Sequence, residues 1–524
     1  MSQLFASFYT PKRGMYDAQK RIEIAGKNIA NTNTEGYSRQ KVSTVSARIY
    51  NIDIAGKIEN GPDALRVMRE RDTFLDSQIR KENGIFGQFR SKSEILSQVE
   101  TSFLEPSDNG LNKAMSEMWN SWQELSKNPS EVSVKTVVTQ TAENFALTLN
   151  TVAARLEDLK DNSKNIIENE VFNLNKTLER IDNLNNEIYK ATIRNIEPNE
   201  LLDQRDLLLD EVSKSVNIDV TLDKFNRATV TSSGVDLVSG NPKVESDSAI
   251  SFVDSIEEVA GGYEVRLSLA GDGVKNSKSI TISKAEFEAN YSFLEEGAVV
   301  VSKKDFIDES SISKFEDKMV TGEIKGYKES FEKTKEYSNN LDNLANSIAQ
   351  RINIIHKDGG SNFFEGAIDG KFTAKSIKMN TEIVNDPSKI NADKDDGDGA
   401  RALAISVLRN SNFSIDSSDT AAIESTYDTN SLEFDTEVTG VSFDSYYTNM
   451  ISNIGIEKQS ADRMVENEEA LLQQLDGKKE SISGVSLDEE IANLVQFQNV
   501  YAANAKVMST MSEMLDVLMN RTGL

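Results

Sequence analysis

The sequence predicts a mainly α-helical protein in which long, coiled-coil-like helices from the N- and C-terminal halves form a bundle, with a β-rich domain inserted in the middle. Apolar residues recur every three to four positions over most of the chain, as on one face of an α-helix. Between about residues 218 and 301 the apolar period changes to two, as in half-buried strands. Because antiparallel pairing of the two helical halves would bring the chain ends together, we expect the first and last helical segments to be neighbours.

Changes in period, together with prolines and turn residues, divide the 524-residue chain into five segments. They are 1–65, an N-terminal assembly helix and exit loop; 66–218, the first half of the helical body; 219–320, the β-rich insertion; 321–479, the second half of the helical body; and 480–524, a C-terminal assembly helix. Pro11 follows Thr10, a residue type that often precedes a helix. We therefore expect the first helix to begin there, with Pro11 in its first turn.

Each end of the chain carries a narrow apolar stripe with heptad spacing, which we call a seam. The N-terminal seam is Met15, Ala18, Ile22, Ala25 and Ile29, and the C-terminal seam is Leu487, Ile491, Leu494, Tyr501, Ala505, Met508 and Leu515. A seam needs a second helix against it, and an isolated helix with an unpaired seam is marginally stable in water. We therefore expect both ends to become fully ordered only when neighbouring copies cover them, which indicates a protein that works by assembly.

Composition argues against most catalytic and metal chemistry. Cysteine is absent and His356 is the one histidine, which excludes thiol nucleophiles, disulfides and sites with several histidine ligands. His356 stands near Gly359 at an apparent helix end, and we expect it to be structural. The sequence contains no phosphate-binding loop, nucleophile elbow or zinc-binding helix motif, so we predict no enzyme activity, no cofactor and no metal site.

Charge and hydropathy restrict the partners. The formal net charge of −27 opposes binding to nucleic acid and to anionic membranes, because both are polyanions. No apolar run approaches the roughly 20 residues that span a bilayer, and the N-terminus lacks the pattern of a secretory signal peptide. We predict no nucleic-acid partner, no membrane insertion, and a chain that is cytosolic or exported by a route without such a signal.

Two acidic segments resemble functional sites at first sight. Asp393–Gly399 lacks the spacing of a calcium loop, because a glycine takes the fifth position and an alanine the twelfth, where a bidentate glutamate is needed. We expect a solvated loop that caps the following helix. Leu201–Asp210, reading LLDQRDLLLD, places carboxylates opposite an apolar stripe. We expect these carboxylates and the nearby Arg205 to form a solvated helix face.

The segment Asn28–Gln40, reading NIANTNTEGYSRQ, leaves the first seam. Its Asn and Thr side chains compete for backbone hydrogen bonds and so end a helix. Gly36 can supply a positive φ for the turn, and Tyr37 can then fold back onto apolar surface. Near the other end, Ser486–Glu489 (SLDE) is a capping box. It predicts that the final helix begins there, with Glu489 reaching back to the Ser486 amide.

This exit motif and the segment Ser483–Met508, reading SGVSLDEEIANLVQFQNVYAANAKVM, resemble the terminal signatures of the axial proteins of the bacterial flagellum, the rod and hook family. The motif residues are Asn28, Asn31, Thr34, Gly36, Tyr37, Ser38, Arg39 and Gln40, and the ending Tyr37–Gln40 is similar to the variant found in hook-associated members. Trp122–Pro129 (WQELSKNP), Leu201–Asp210 and Gly397–Leu408 are also similar to stretches of those members. The resemblance covers both helical halves but little of residues 221–309, and Pro11 departs from the family's uninterrupted helix.

The resemblance implies a secreted structural subunit at the junction between hook and filament, exported unfolded by the flagellar type III apparatus. The implied partners are further copies in a ring, the hook protein, the second hook–filament junction protein, and a cytosolic export chaperone at the C-terminal region. Two alternatives stay open. One is a secreted coiled-coil adhesin or effector whose β-rich domain binds a ligand. The other is a different flagellar axial protein, flagellin or the second junction protein, against which the variant Gly36–Gln40 speaks.

Overall fold

The computed structural model describes residues 2–46, 62–103, 105, 110–240, 248–269, 277–303, 312–315, 319–357, 360–415, 420–435 and 440–520. Its helices are α1 (Ser2–Ala30), α2 (Thr73–Phe103), α3 (Leu111–Lys127), α4 (Val132–Ile193), α5 (Asn199–Ser215), α6 (Lys284–Glu286), α7 (Glu323–Lys357), α8 (Thr381–Asn385), α9 (Ala400–Val407), α10 (Thr420–Ser425), α11 (Phe443–Ser483) and α12 (Leu487–Asn520). Its strands are β1 (Gln40–Ser46), β2 (Pro62–Arg69), β3 (Asp219–Leu222), β4 (Ala228–Ser232), β5 (Val235–Val238), β6 (Ser248–Val259), β7 (Gly262–Leu269), β8 (Ser277–Ser283), β9 (Val299–Lys303), β10 (Ser313–Lys314), β11 (Phe364–Glu365), β12 (Lys378–Met379), β13 (Tyr427–Asp428) and β14 (Glu433–Phe434).

The helical body is built along α4, which is about 90 Å long at 1.5 Å per residue. Its buried stripe keeps the predicted three-to-four spacing, beginning Val138, Ala142, Phe145, Leu149, Val152 and Leu156. α3 and α7 pack along α4, and α2 packs against both α7 and α11. Aromatic side chains fill the centre, where the Trp122 and Phe363 rings lie 4.9 Å apart. The predicted fold class, a helical bundle with a β-rich insertion, is confirmed.

The strands β3 to β10 lie between α5 and α7 in the chain. They form an antiparallel sheet with strand order β3-β4-β5 and a larger antiparallel sheet with order β10-β9-β6-β7-β8. One face of the larger sheet, with Ile250 and Phe252, packs in the same apolar cluster as Ile167 and Val171 of α4. The other face has its own small core. The β-rich module therefore packs against the C-terminal half of α4.

The predicted strands around Val220, Thr229–Thr231, Tyr263–Leu269, Ile280–Ile282 and Val299–Val301 are confirmed. Sequence reasoning missed β6, the central strand of the larger sheet. β6 is buried on both faces from Ala249 to Val253, so it lacks the polar–apolar alternation that reveals a half-buried strand. The division of the chain into five segments remains a proposal.

Pro11 lies inside a helix. α1 begins at Ser2 and continues through Pro11, so the prediction that the helix begins at Thr10–Pro11 is wrong. An internal proline costs about 3 kcal/mol because it lacks an N–H and crowds the preceding turn. α1 packs against α12 over much of its length, and this contact outweighs the proline penalty.

The acidic loop before α9 folds on itself. Oδ1 of Asp398 accepts hydrogen bonds from the amides of Lys394 at 2.9 Å and of Ala400, the first residue of α9, at 3.0 Å. The loop thus caps α9, as expected. Within the described part of the chain, no group of three or more acidic and histidine side chains could hold a metal ion. No described helix is both long and apolar enough to cross a membrane.

His356 joins the end of α7 to two loops. Its buried imidazole lies with Nδ1 2.7 Å from the Ser361 carbonyl oxygen, and Nε2 accepts a hydrogen bond from the Asn391 amide at 3.0 Å. Both ring nitrogens are thus engaged by the backbone. Gly359, the expected glycine cap, lies outside the described residues. Burial lowers the pKa of His356 to about 4, the nearby Arg401 adding to the effect.

We predict that His356 makes the helical body sensitive to mild acid. Because the pKa is lowered in the folded state, the unfolded chain takes up the proton first, and stability is lost as the pH falls from about 6.5 towards 4. Between pH 7.5 and 5.0 this loss is on the order of 2 kcal/mol. Urea unfolding at several pH values checks it, with His356→Gln as the comparison. Equal pH dependence of parent and variant would contradict the prediction.

Candidate functional site: the terminal unit

The helices at the two ends of the chain pack against each other, antiparallel and in a regular register. We call α1, the exit loop at residues 31–39, the β1–β2 hairpin and α12 together the terminal unit. The ideal Cβ position at Gly14 lies 3.0 Å from Cγ of Asn504. The Arg21 guanidinium lies 5.6 Å from the centre of the Phe497 ring, and Nδ2 of Asn28 donates to Glu490 at 3.1 Å. Each step of seven residues along α1 is a step of seven back along α12, which is the pattern of an antiparallel heptad pair.

Small residues allow this close approach. In the N-terminal seam, Ala18 is 1% exposed and Ala25 is also buried, whereas Met15, Ile22 and Ile29 are only half-buried. Ile24, which the predicted seam does not include, is buried as well. The centre of the contact is therefore lined by alanine, and the larger side chains flank it.

The C-terminal seam is divided between contact and solvent. Its half-buried members are Leu494, Ala505, Met508 and Leu515, and its exposed members are Leu487, Ile491 and Tyr501. The structure thus brings the N-terminal seam against part of the predicted C-terminal one. Phe497, which contacts Arg21, was not predicted as a seam residue, although it lies one heptad before Asn504.

Asn28 is the centre of the exit motif. Its side chain is buried; Nδ2 donates to the Gln40 carbonyl at 3.0 Å as well as to Glu490, and Oδ1 accepts from the Tyr37 hydroxyl at 2.8 Å and from the Gln40 amide at 3.0 Å. These four bonds use the full capacity of an asparagine side chain. The Asn28 side chain of α1 therefore connects the exit loop, β1 and α12 through hydrogen bonds.

The rest of the motif shapes the turn. Asn31 donates to the Lys27 carbonyl at 2.9 Å and accepts from Thr34 at 3.2 Å, so these side chains end α1 as expected. Gly36 has φ +75°, which a side chain would strain. The Tyr37 hydroxyl donates a hydrogen bond to Asn28. Burial raises the pKa of the Tyr37 phenol, and the nearby carboxylates of Asp203, Glu200 and Glu490 raise it further.

Arg39 joins the exit loop to the start of α12. Its guanidinium contacts Glu490 at 2.8 Å and Glu489 at 2.9 Å, and its amide donates to the Ser483 carbonyl at 2.9 Å. Burial opposes the charge, but Glu490 and then Glu489 outweigh it and raise the pKa of Arg39. α12 begins directly after Ser486, as predicted. The Glu489 carboxylate pairs with the opposite charge of Arg39 instead of closing a capping box.

Most of the charged side chains of the segment Leu201–Asp210 are buried, not solvated as predicted. Asp203, Arg205 and Asp206 are buried, so the prediction of a solvated helix face is wrong. Nη1 of Arg69 donates to Asp203 and to Asp206, both at 2.8 Å, and the Ser38 amide donates to Asp203 at 3.3 Å. Burial alone would raise the pKa of Asp206, but Arg71, Arg205 and Arg69 outweigh it and lower the pKa to about 2. These carboxylates face arginines of the hairpin and its linker rather than water.

Comparison with known proteins agrees with this architecture. Residues 96–367 match the model of the flagellar hook-associated protein FlgK helical domain, which spans just over half of the chain. The chain belongs to the FlgK family of flagellar hook-associated proteins. Its ends match two further models, the flagella basal body rod protein at residues 8–37 and the C-terminal region of the flagellar basal body rod FlgEFG proteins at 480–521. It is thus a structural protein of the bacterial flagellum.

Individual relatives align with all or most of the chain. Flagellar hook-associated protein 1 of Bacillus subtilis is 29% identical over 555 aligned positions, covering 100% of this chain and 99% of the relative. The protein of the same name from Salmonella typhimurium is 24% identical, with 97% and 98% covered. The flagellar hook junction protein FlgK from Burkholderia pseudomallei shares the fold with a TM-score of 0.56 at 13% identity, covering 78% of this chain and 100% of that structure.

We predict that a larger side chain in the alanine-lined contact separates α1 from α12. In Ala18→Leu the new side chain has no room, and overpacking costs about 1–3 kcal/mol. The population of chains in which α1 has separated from α12 should rise roughly 5- to 150-fold. Tryptic cleavage after Arg13, followed by mass spectrometry, should accelerate accordingly. Ala30→Leu is the matched control, since Ala30 is an exposed alanine of the same helix. If both variants are cleaved at the parental rate, Ala18 does not lie in a tight contact.

Proposed function

We propose that this chain forms the junction between the hook and the filament of the bacterial flagellum, where it polymerises through its terminal unit as a ring. Membership of the FlgK family supports this role. So do the separate matches of both chain ends to models of rod proteins, because in this structure those same two ends are the paired helices. The role is structural, and no catalytic step is part of it.

The assembly proposal rests on one observation: α12 also exposes apolar side chains on a second side, which α1 does not cover. Val500, Val507 and Met514 repeat every seven residues and are exposed, Met514 by 65%, and Val517 follows three residues later. A helix that is apolar on more than one side belongs in a larger packed assembly. Burying one such side chain completely contributes about 1.5–3 kcal/mol. The intrachain pair thus covers one side of α12, and neighbouring copies would cover the other.

The proposed ring has the hook protein on one side and the second hook–filament junction protein on the other. Before assembly, the chain is exported unfolded and secreted, and a cytosolic chaperone covers the C-terminal region. The exposed stripe of α12 supports the chaperone proposal, because unshielded it would invite premature association. The absence of cysteine suits threading through a narrow channel, since no disulfide can form a cross-link.

We predict that polar substitution of the exposed stripe prevents assembly without unfolding the chain. Val500→Ser, Val507→Ser and Met514→Ser together should leave purified monomer helical by circular dichroism. Expressed in a strain lacking the parental gene, this variant should give cells with hooks but no filaments, and flagellin in the medium. Electron microscopy and swimming assays measure the outcome.

The matched control is Gln498→Ser, Ala502→Ser and Ser509→Ala, three exposed positions on the side of the same helix away from the stripe. It should swim like the parent. Removing residues 487–524 should abolish swimming altogether, whereas an adhesin would keep its ligand binding after this truncation. Normal filaments on the stripe variant would overturn the proposal that α12 polymerises through this side.

A further inference from the structure

The first third of α4 exposes a side that is almost free of charge. Between residues 132 and 154 only Lys135 and Glu143 are charged, whereas nine of the 23 residues that follow are. Val137 and Leu147 lie on this side, and Leu147 is 62% exposed. Solvent-exposed surfaces usually mix charges of both signs, so this side differs from the rest of the helix. We call the exposed side of residues 132–154 the neutral face.

Several polar side chains of the neutral face already have partners within the chain. The hydroxyls of Thr141, Thr148 and Thr151 donate to carbonyl oxygens four residues earlier, at 3.0, 2.8 and 2.8 Å. Lys135 donates to two backbone carbonyls of the segment between α8 and α9, at 3.2 and 2.8 Å. A polar group that keeps its partner can be covered at little cost. The neutral face is therefore suited to burial against another protein surface.

The charge of the chain favours one occupant for this face. Depletion of charged residues is typical of the core of a protein–protein interface. A second copy of the chain carries the same formal net charge of −27, and two such copies repel unless the surfaces in contact lack acidic groups. A basic partner would instead be met by acidic side chains, of which the chain has 85. A neutral face thus suits a second copy of this chain.

The size of the neutral face indicates when it can be used. At 1.5 Å per residue it is about 35 Å long, and one side of a helix is about 10 Å wide, which gives roughly 350 Å². A stable interface buries about 800 Å² on each partner. The face is too small to hold two free chains together, and it contributes only between copies that α12 already brings together. It runs along the side of the helical body, where the subunits of a ring meet.

We infer that the neutral face of α4 is a second contact between copies and packs against the helical body of the next subunit. This inference rests on the proposed ring assembly and adds to it a surface outside the terminal unit. Because a ring contact is heterologous, the face meets a different surface of the neighbour instead of its own counterpart. The contact forms only in the assembled state, so the free chain stays monomeric.

Photo-cross-linking identifies the occupant. A benzophenone amino acid takes the place of Leu147, and isolated hook–filament structures are irradiated. The expected product has twice the mass of this chain and gives peptides of this chain alone by mass spectrometry. The matched control carries the probe in place of Asn165, an exposed residue on the same side of α4 about five turns further on. The control should lose this product.

Two added charges show whether the contact holds the assembly together. Val137→Glu with Leu147→Glu should leave urea unfolding of the monomer unchanged, since both positions are exposed, but cells should lose most of their filaments under mechanical shear. Asn165→Glu with Asn169→Glu adds the same charge at exposed positions outside the neutral face. This control should keep its filaments as the parent does, and electron microscopy counts the filaments per hook.

Three results overturn the inference alone: a product with hook protein or another flagellar protein, no product from the probe at position 147, or filaments on the Val137 and Leu147 variant that resist shear like those of the parent. Each of them leaves the proposed function in place when the chain is found in the isolated structures. Absence of the chain from hook–filament structures contradicts the proposed function itself, and the inference with it.

Discussion

The antiparallel contact between α1 and α12 joins segments from opposite ends of the chain, and the arrangement of the terminal unit depends on it. Its register is set by steps of seven residues, and its closeness by the small side chains of Ala18 and Ala25. The exit loop turns the chain at the end of this pair, and Arg39 and Asn28 attach that turn to the first residues of α12. With the ends fixed together, the chain must leave and return at one place, which is the arrangement of a nested helical body.

Two kinds of interaction divide the molecule. Within the body, helices and sheets share continuous apolar cores, which give stability but permit one arrangement. Between the body and the terminal unit, charge pairs such as Arg69–Asp203 and Lys27–Glu200 make the contact instead. Among the described residues, the apolar cores thus hold the helical body together without any contribution from the terminal unit.

Periodicity was sufficient to predict the helical bundle and most of the inserted strands, because each depends on local spacing that a single sequence displays, but it missed the buried strand β6. It could not show which members of a seam would be covered: Tyr501 fits the spacing yet is exposed, since coverage depends on where the partner helix lies. The start of the first helix was predicted wrongly for a similar reason: the local cost of Pro11 inside a helix is outweighed by the contact of α1 with the distant α12.

The acidic motif of α5 shows more clearly that a single sequence does not reveal distant partners. Its carboxylates Asp203 and Asp206 are plain in the sequence, but their partner Arg69 stands 134 and 137 positions away, and charges without a visible partner are expected on the surface.

A disulfide between α1 and α12, formed by Gly14→Cys and Asn504→Cys in the otherwise cysteine-free chain, tests their antiparallel pairing. The ideal Cβ position at Gly14 lies 3.0 Å from Cγ of Asn504, within reach of disulfide geometry. Mild oxidation of dilute monomer should give a rapid intrachain bond, and Gln19→Cys with Ser509→Cys, both exposed, should not. Absence of the first bond, or its formation only between chains, would contradict the antiparallel intrachain pair.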